Sequence, residues 1–224
     1  MNIGNEFQNY YVKHLGKSSL DLHYYGNRIE SSMTPYILEE REMRATQIDI
    51  FSRLMRDRLL WVAGEVNDHM STIVQAQLMF LDSADKTDIT MHIDSPGGSV
   101  KSGLSMVDVM NYISCDIRTV NTGMAASMGS VLLGAGTKGK RSSLRFSRTM
   151  LHQSSGGAVG NIQDAEISMR EWNKINNTLF ELLGSYCGKD AEQVKKDASR
   201  DLWLDSQEAL DYGIIDEIVK SKKK

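Results

Sequence analysis

The sequence predicts an α/β protein with a largely parallel sheet. From about residue 46 onward, apolar runs typical of strands alternate with segments of helical periodicity, and glycine-containing turns separate them. Such alternation implies right-handed crossover connections and parallel strand pairing. Eleven of the 18 glycines lie between positions 97 and 160, so we look for function in this stretch first, where the backbone geometry is most specialised.

The first two strand and helix cycles follow from hydrophobic periodicity. A helical stripe is predicted from Thr46, and the apolar run 59–63, closed by Gly64, is typical of a buried strand. The next cycle contains a helix at 70–82 and a strand at 89–93. Both cycles support the α/β class.

Glycine-rich turns open the next helices. The turn Ser95-Pro-Gly-Gly98 precedes a helix that runs to Ile113. The third cycle has a strand at 117–120, a glycine-bounded turn at 123–129 and a helix beyond it. These turns lie where an α/β fold presents reactive groups.

A long helix is predicted over residues 161–187. Apolar residues recur at helical spacing from 162 to 183, Asn161 is an N-cap and Gly188 is a stop signal. At about 1.5 Å per residue this helix extends about 40 Å, more than the depth of a compact domain of this size. We therefore expect part of its apolar stripe to project and to need a partner. The alternative is two shorter helices packed internally.

Composition excludes several classes of protein. The chain has 224 residues and a net charge of −3, so one domain is the default and nucleic acid is not an expected partner. The longest apolar run, 59–63, is far shorter than the roughly 20 residues that cross a bilayer. Cys115 and Cys187 have neither zinc-ligand nor disulfide-framework spacing. The first 31 residues lack the apolar core of a signal peptide, so we expect a cytoplasmic protein.

Ser127 is the candidate nucleophile. It lies in Gly123-Met-Ala-Ala-Ser-Met-Gly129, between a predicted strand and a predicted helix, where a sharp turn can present a hydroxyl beside free N–H groups. The spacing differs from the Gly-x-Ser-x-Gly nucleophile elbow. Small residues around a serine also serve tight helix packing, and the motif alone leaves both interpretations open.

His152 is the candidate base among five histidines. It ends the short segment 149–152 and precedes a glycine-containing loop, a typical position for a reactive group. A buried or surface role remains the alternative. His14 and His23 lie in the loose N-terminal segment, His69 begins a helix and His92 lies within a strand, so these four are interpreted as structural or solvated.

The carboxylate that would orient the imidazole cannot be chosen from spacing. The turn 95–98 offers backbone donors for an oxyanion, although such a turn is more often only a turn. Six aspartates follow the long helix: Asp190, Asp197, Asp201, Asp205, Asp211 and Asp216.

Over residues 33–219 the sequence resembles the ClpP family, the proteolytic subunits of Clp proteases. The resemblance implies a ClpP/crotonase-like fold of repeated β-β-α units with a long protruding handle helix. It rests on five stretches: Asp49-Ile-Phe-Ser-Arg-Leu54, Asp94-Ser-Pro-Gly-Gly98, Gly123-Met-Ala-Ala-Ser-Met-Gly129, Met150-Leu-His-Gln153, and Arg200-Asp-Leu-Trp203 followed by Ala209-Leu-Asp-Tyr-Gly213.

The resemblance implies residue roles. The family's nucleophile falls on Ser127, its base on His152 and its aspartate on Asp201. Its oxyanion hole, made of backbone N–H groups, falls on Gly98 and Met128. The resemblance thereby selects one of the six aspartates.

The family also implies partners. Its members stack two seven-membered rings through the handle helix, and a ring-shaped ATP-driven unfoldase of the AAA+ type feeds unfolded polypeptides into the chamber. ATP belongs to that unfoldase, so no cofactor and no metal are expected on this chain. Neither a membrane nor nucleic acid is an expected partner.

The resemblance further implies domain boundaries. Residues 1–31 are expected to form a flexible extension or removable propeptide, with cleavage near Ser31-Ser32-Met33. Residues 32–224 then form one protease domain, with a head (32–150 and 189–219) and a handle (about 151–188).

Two alternative functions remain open at this point. One is a crotonase-type acyl-CoA enzyme, which needs no serine nucleophile, and the other is a non-catalytic ring subunit.

Overall fold

The computed structural model describes residues 36–41, 44–154 and 161–220. The chain divides into two compact units between Leu54 and Met55. The predicted extension 1–31 and its cleavage site lie outside the described residues, as does the glycine-containing segment 155–160 that follows the candidate base.

The first unit contains a β-hairpin and the start of a helix. Strands β1 (Tyr36–Arg41) and β2 (Arg44–Asp49) pair antiparallel, and helix α1 (Ile50–Arg56) follows directly. The side chain of Asp49 accepts a hydrogen bond from the Ser52 N–H at 2.9 Å, which starts the helix. The predicted helix is therefore present, but it begins at Ile50 and not at Thr46, because residues 46–49 belong to the hairpin.

The second unit contains a seven-stranded sheet, and the α/β prediction is confirmed. The strands are β3 (Leu59–Ala63), β4 (Ile89–Ser95), β5 (Ile117–Ala126), β6 (Arg141–Ser143), β7 (Arg148–Leu151), β8 (Leu202–Leu204) and β9 (Glu217–Ile218). In the sheet, β3, β4, β5, β6 and β9 lie in that order and pair parallel. Strand β7 also pairs parallel with β5, and β8 pairs antiparallel with β7.

In the described part of the second unit, six helices alternate with or follow these strands. The helices are α2 (Asp68–Ala84), α3 (Val100–Tyr112), α4 (Met128–Gly134), α5 (Ile162–Cys187), α6 (Ala191–Asp197) and α7 (Ser206–Tyr212). The predicted helices at 70–82 and up to Ile113 are confirmed by α2 and α3. The side chain of Asn67 caps the start of α2, and that of Ser99 caps the start of α3.

The core of this unit lies against the central strands. Ile89, Met91 and Ile93 of β4 are fully buried, as are Leu78 of α2 and Met106 of α3. Burying each such side chain contributes about 1.5–3 kcal/mol relative to exposure. This core packing stabilises the strands whose ends carry the candidate site.

Strand β5 differs most from the prediction. It runs on to Ala126 rather than ending at Val120, so the turn predicted over 123–129 is reduced to Ser127, and the predicted helix begins at Met128. The β4–β5 register shifts by two residues beyond Ile93, and the Asp94 carboxylate accepts a hydrogen bond from the Met124 N–H at 3.0 Å. This bulge bends β5 so that its first part pairs with β6 and its last part with β7.

Helix α5 has the predicted length and caps. The Asn161 side chain accepts from the Asp164 N–H, and Gly188 ends the helix at φ 65°. Its buried residues lie between 179 and 184, whereas Ile162 is 79% exposed and Ile167 is 56% exposed. The helix is therefore continuous, and the alternative of two shorter helices is wrong. Its first half carries exposed apolar residues that the second unit does not cover.

A buried ion pair joins the end of the chain to the sheet. The Arg141 guanidinium, 1% exposed, pairs with Asp216 at 2.6 Å and also donates to the carbonyls of Tyr186 and Gly213. Burial raises the pKa of the Asp216 carboxyl, but the hydrogen bonds and charge of Arg141 outweigh it and hold that pKa below its ordinary value.

Candidate active site

Ser127 lies at a sharp turn between a strand and a helix. Strand β5 ends at Ala126 and α4 begins at Met128, which leaves Ser127 with φ 53° and ψ −122°. A residue other than glycine in such a conformation costs about 1–3 kcal/mol and needs support from its surroundings. The Ser127 N–H donates to the Met150 carbonyl at 2.9 Å, and the Ser127 carbonyl accepts from the Ser130 N–H and Oγ.

The ends of three neighbouring strands bring the candidates together. Ala126 pairs with Met150 across β5 and β7, and Leu151 pairs with Leu202 across β7 and β8. Each candidate is the residue next to one of these strand ends. The register therefore places Ser127, His152 and Asp201 side by side.

Hydrogen bonds connect the three side chains. The distance from His152 Nε2 to Ser127 Oγ is 2.8 Å, and the distance from His152 Nδ1 to Asp201 Oδ1 is 3.2 Å. In the tautomer with its proton on Nδ1, the ring donates to Asp201 and accepts from Ser127. The His152 side chain is 25% exposed and that of Asp201 60% exposed, so the carboxylate end of this chain of bonds is open to water.

The glycine turn after β4 lies against the Ser127 turn. A Cβ placed on Gly97 would lie 2.7 Å from the Ala126 carbonyl oxygen and 2.9 Å from the Met128 nitrogen. Bonds from the Val66 N–H to the Gly97 carbonyl and from the Ser99 N–H to the Val66 carbonyl hold the turn in place. Within the described part of the chain, no acceptor pairs with the N–H of Gly98 or of Met128. Both groups are therefore free to bind an anion.

Other histidines have different surroundings. His92 stacks on Trp61 with ring centroids 4.7 Å apart, and burial lowers its pKa. His69 is exposed on α2. His14 and His23 lie outside the described residues. Of the three histidines that the structure describes, His152 is the one in contact with a serine hydroxyl.

The other five aspartates have structural contacts away from His152. Two of them cap the helices that follow α5, two accept hydrogen bonds from nearby side chains, and one forms the buried ion pair. These are Asp190 (cap of α6), Asp205 (cap of α7), Asp197 (from Tyr212 Oη at 3.1 Å), Asp211 (from Gln207 Nε2 at 2.9 Å) and Asp216 (with Arg141).

The contacts that hold the segment after His152 have no counterpart among the sequence predictions. The Gln153 N–H donates to the Ala198 carbonyl at 3.1 Å. The Ser154 N–H and Oγ both donate to Asn176 Oδ1 of α5, at 3.1 and 2.9 Å. The two partners are 22 residues apart, so no local sequence pattern marks this contact.

A cavity of about 390 Å³ adjoins the His152–Asp201 pair. Residues 152–154 and 199–201 line it on one side, and Met169 and Trp172 of α5 line the other. Among the described residues, no cluster of His, Cys, Asp or Glu is arranged to hold a metal ion. No helix in that part of the chain is long and apolar enough to span a membrane.

A strained serine bonded through an imidazole to a carboxylate, on a parallel α/β sheet, is the arrangement found in serine hydrolases. The sequence pattern of the Clp protease family matches residues 40–222, and the chain belongs to this family. It is 47% identical over 222 residues to the "ATP-dependent Clp protease proteolytic subunit" of Porphyromonas gingivalis, covering 98% of this chain and 100% of the relative.

Further relatives carry the same name. The Bacteroides fragilis protein is 46% identical over 219 residues, covering 97% of this chain and all of the relative. The Ligilactobacillus salivarius protein is 45% identical over 194 residues, covering 86% of this chain and 98% of the relative. The chain is thus a Clp peptidase subunit, a serine peptidase of the hydrolase class.

Proposed function

We propose that this chain hydrolyses peptide bonds through an acyl-enzyme formed on Ser127. The observation that carries the proposal is the 2.8 Å contact between Ser127 Oγ and His152 Nε2, at a serine whose backbone is held in a strained conformation. His152 takes the proton of Ser127 as Oγ attacks the carbonyl carbon. Asp201 holds the ring in the tautomer that can accept this proton.

The oxyanion of the tetrahedral intermediate is bound by the N–H groups of Gly98 and Met128. Met128 is the first residue of α4, where helix N–H groups lack partners within the helix. His152 then donates its proton to the leaving amine, whose C–N bond breaks. A water molecule then attacks the acyl carbon as His152 takes its proton. His152 returns this proton to Ser127 Oγ as the ester bond breaks, which releases the new carboxyl group and restores Ser127.

Two stacked seven-membered rings are the proposed assembly, with unfolded polypeptides as substrates and an AAA+ unfoldase as partner. The exposed apolar residues in the first half of α5, including Ile162 and Ile167, support a partner surface there. The native mass of the assembly tests this proposal, with fourteen subunits expected. A charge introduced by Ile167→Lys should reduce the mass to that of smaller species, whereas Lys174→Ala, at an exposed position of the same helix, should leave it unchanged.

The remaining expectations concern cofactors, location and processing. The family supports a peptidase that uses no cofactor of its own, with ATP consumed by the unfoldase and the cytoplasm as its location. The N-terminal segment up to about Ser31 is proposed to be a removable propeptide. Its removal by Ser127 would give a shortened chain in the wild type and a full-length chain in Ser127→Ala, as measured by intact mass.

Labelling with a fluorophosphonate probe tests the catalytic proposal. The probe is expected to add covalently to Ser127 in the wild type, more slowly in His152→Ala, and not at all in Ser127→Ala. Ser185→Ala is the matched control, because this serine is exposed on α5 and donates only to the Leu182 carbonyl. Labelling that persists in Ser127→Ala, or a wild type that assembles but is not labelled, would contradict the proposal and favour a non-catalytic subunit.

A further inference from the structure

We propose that Asn176 of helix α5 is a positioning residue for His152, acting through Ser154. The inference rests on the proposed function, since it takes His152 as the base of the reaction. It concerns a residue that touches none of the reacting atoms and whose role is to hold the imidazole where Ser127 needs it.

The contact is a double one. Asn176 Oδ1 accepts from the Ser154 N–H at 3.1 Å and from the Ser154 Oγ at 2.9 Å. An N–H group is always a donor, so the orientation of the Asn176 amide follows from the chemistry of its partner. Two hydrogen bonds to one oxygen restrict both the backbone and the side chain of Ser154.

His152 depends on support from both sides along the chain. Before it, β7 is fixed by its pairing with β5 and β8. After it, β7 has ended, and the described contacts are the Gln153 bonds to the carbonyls of Ala198 and Ser199 and the Ser154 bonds to Asn176. The Gln153 contacts reach the two residues that follow α6, whereas among the described contacts it is the one to Asn176 that connects the segment after His152 to α5.

Asparagine is also an unfavourable choice for the interior of a helix. Its short amide competes for backbone hydrogen bonds and lowers helix propensity relative to Ala, Leu or Lys. The adjacent Asn177 is exposed, whereas Asn176 is partly buried against the segment that it binds. The amide at position 176 therefore has a specific partner, and its neighbour supplies a control of the same residue type.

A small displacement of the catalytic base lowers the reaction rate strongly. A base that must lie about 3 Å from the hydroxyl it deprotonates loses rate steeply when it shifts by a fraction of an ångström, and a 1 Å error can cost about 100-fold. Loss of the Asn176 amide frees Ser154 two residues from His152. We expect the rate loss to fall on kcat, since Asn176 does not line the cavity beside His152 and its hydrogen bonds are to Ser154.

The test compares four variants of the full chain in the assembled state. Asn176→Ala should lower both kcat on a short fluorogenic peptide and the rate of fluorophosphonate labelling by roughly ten-fold, with KM changed less than two-fold. Asn176→Asp keeps an acceptor oxygen for both Ser154 donors and should restore most of the rate. Ser154→Ala, which keeps the N–H but loses Oγ, should show a smaller loss, and Asn177→Ala should match the wild type.

The outcomes separate this inference from the proposed function. If wild type is labelled at Ser127 and Asn176→Ala reacts as fast as Asn177→Ala, the positioning role is wrong while the proposed function stands. If Asn176→Asp is as slow as Asn176→Ala, the hydrogen bonds are not the cause and the inference also fails. If Asn176→Ala does not assemble, the reaction rate of Ser154→Ala tests the inference, because this substitution leaves α5 unchanged. A Ser154→Ala rate equal to that of the wild type would then contradict the inference. A wild type that is never labelled would overturn the proposed function itself.

Discussion

Leu151 lies directly opposite Leu202 in the antiparallel pair of β7 and β8, and this register determines which aspartate faces His152. One step beyond the pair on each strand are His152 and Asp201, whose side chains meet at 3.2 Å. A shift of one residue would turn every side chain of β8 to the opposite face. The identity of the carboxylate is thus a consequence of strand pairing.

Asp201→Asn should lower kcat by roughly 1000-fold or more, because an amide at this position favours the wrong tautomer of the imidazole. Binding of substrate should change little. Peptide hydrolysis at saturating substrate measures the effect. Asp211→Asn is the control, since Asp211 has its contact with Gln207 on α7, and a similar loss in that variant would contradict the assignment.

Gly97→Ala should inactivate the enzyme. A methyl group at Gly97 would lie 2.7 Å from both the Ala126 carbonyl oxygen and Ser127 Cβ, so the nucleophile turn must move. We expect kcat to fall by about 100-fold or more. Gly139→Ala is the matched control, since Gly139 has a similar φ of +86° but open space around its Cβ position.

Gly139→Ala, the control for Gly97→Ala, should lower the free energy of unfolding by about 1 kcal/mol through backbone strain and leave kcat unchanged. Thermal unfolding and peptide hydrolysis, measured on both variants, separate strain from displacement of Ser127. Equal activities of the two alanine variants would show that the close approach of the turns has no influence on the reaction.

Asp216→Asn should reduce the free energy of unfolding by about 3 kcal/mol at neutral pH, because it leaves the buried Arg141 charge without its partner. Glu217→Gln is the control: its pair with Arg118 is exposed and 3.7 Å long, so its loss should cost less than about 1 kcal/mol. Urea unfolding at pH 7 measures both. Equal losses in the two variants would contradict the importance of burial.

The Asp216 effect should also depend on pH. The folded-state pKa of this carboxyl is lowered, so its stabilisation is fully present above the ordinary carboxyl pKa of about 4 and is lost as the pH falls toward the lower folded-state pKa. The difference in stability between wild type and Asp216→Asn should shrink below about pH 4. A difference that stays constant from pH 7 to pH 3 would be inconsistent with this linkage.

Cys187 should react slowly with alkylating reagents in the folded protein. Burial raises the pKa of its thiol to about 11, so at pH 8 the thiolate fraction is roughly 100-fold lower than for a free thiol. Iodoacetamide labelling followed by mass spectrometry, with and without denaturant, measures the ratio. Rapid labelling of Cys187 under native conditions would contradict the raised pKa of its thiol.

Local signals in the sequence were sufficient for much of the fold. The α/β class, the strand at 59–63 and the full length of α5 from Asn161 to Gly188 follow from periodicity and capping, which involve residues close in the chain. The β1–β2 hairpin and the extension of β5 beyond Val120 did not follow. The bulge in β5 depends on Asp94, which is 30 residues from its partner Met124.

The sequence by itself predicted the α/β class, strands β3 and β4, helices α2, α3 and α5, and the two candidates Ser127 and His152, because hydrophobic periodicity, helix caps and glycine turns are local features. Spacing could not show which of six aspartates orients the imidazole, and only the family resemblance distinguished among them. The tertiary structure decided which carboxylate meets the imidazole and which helix residue holds the segment behind it. Asp201 lies 49 residues from His152 and Asn176 lies 22 residues from Ser154. Contacts over such separations are set by strand register and helix packing, which no short window of sequence contains.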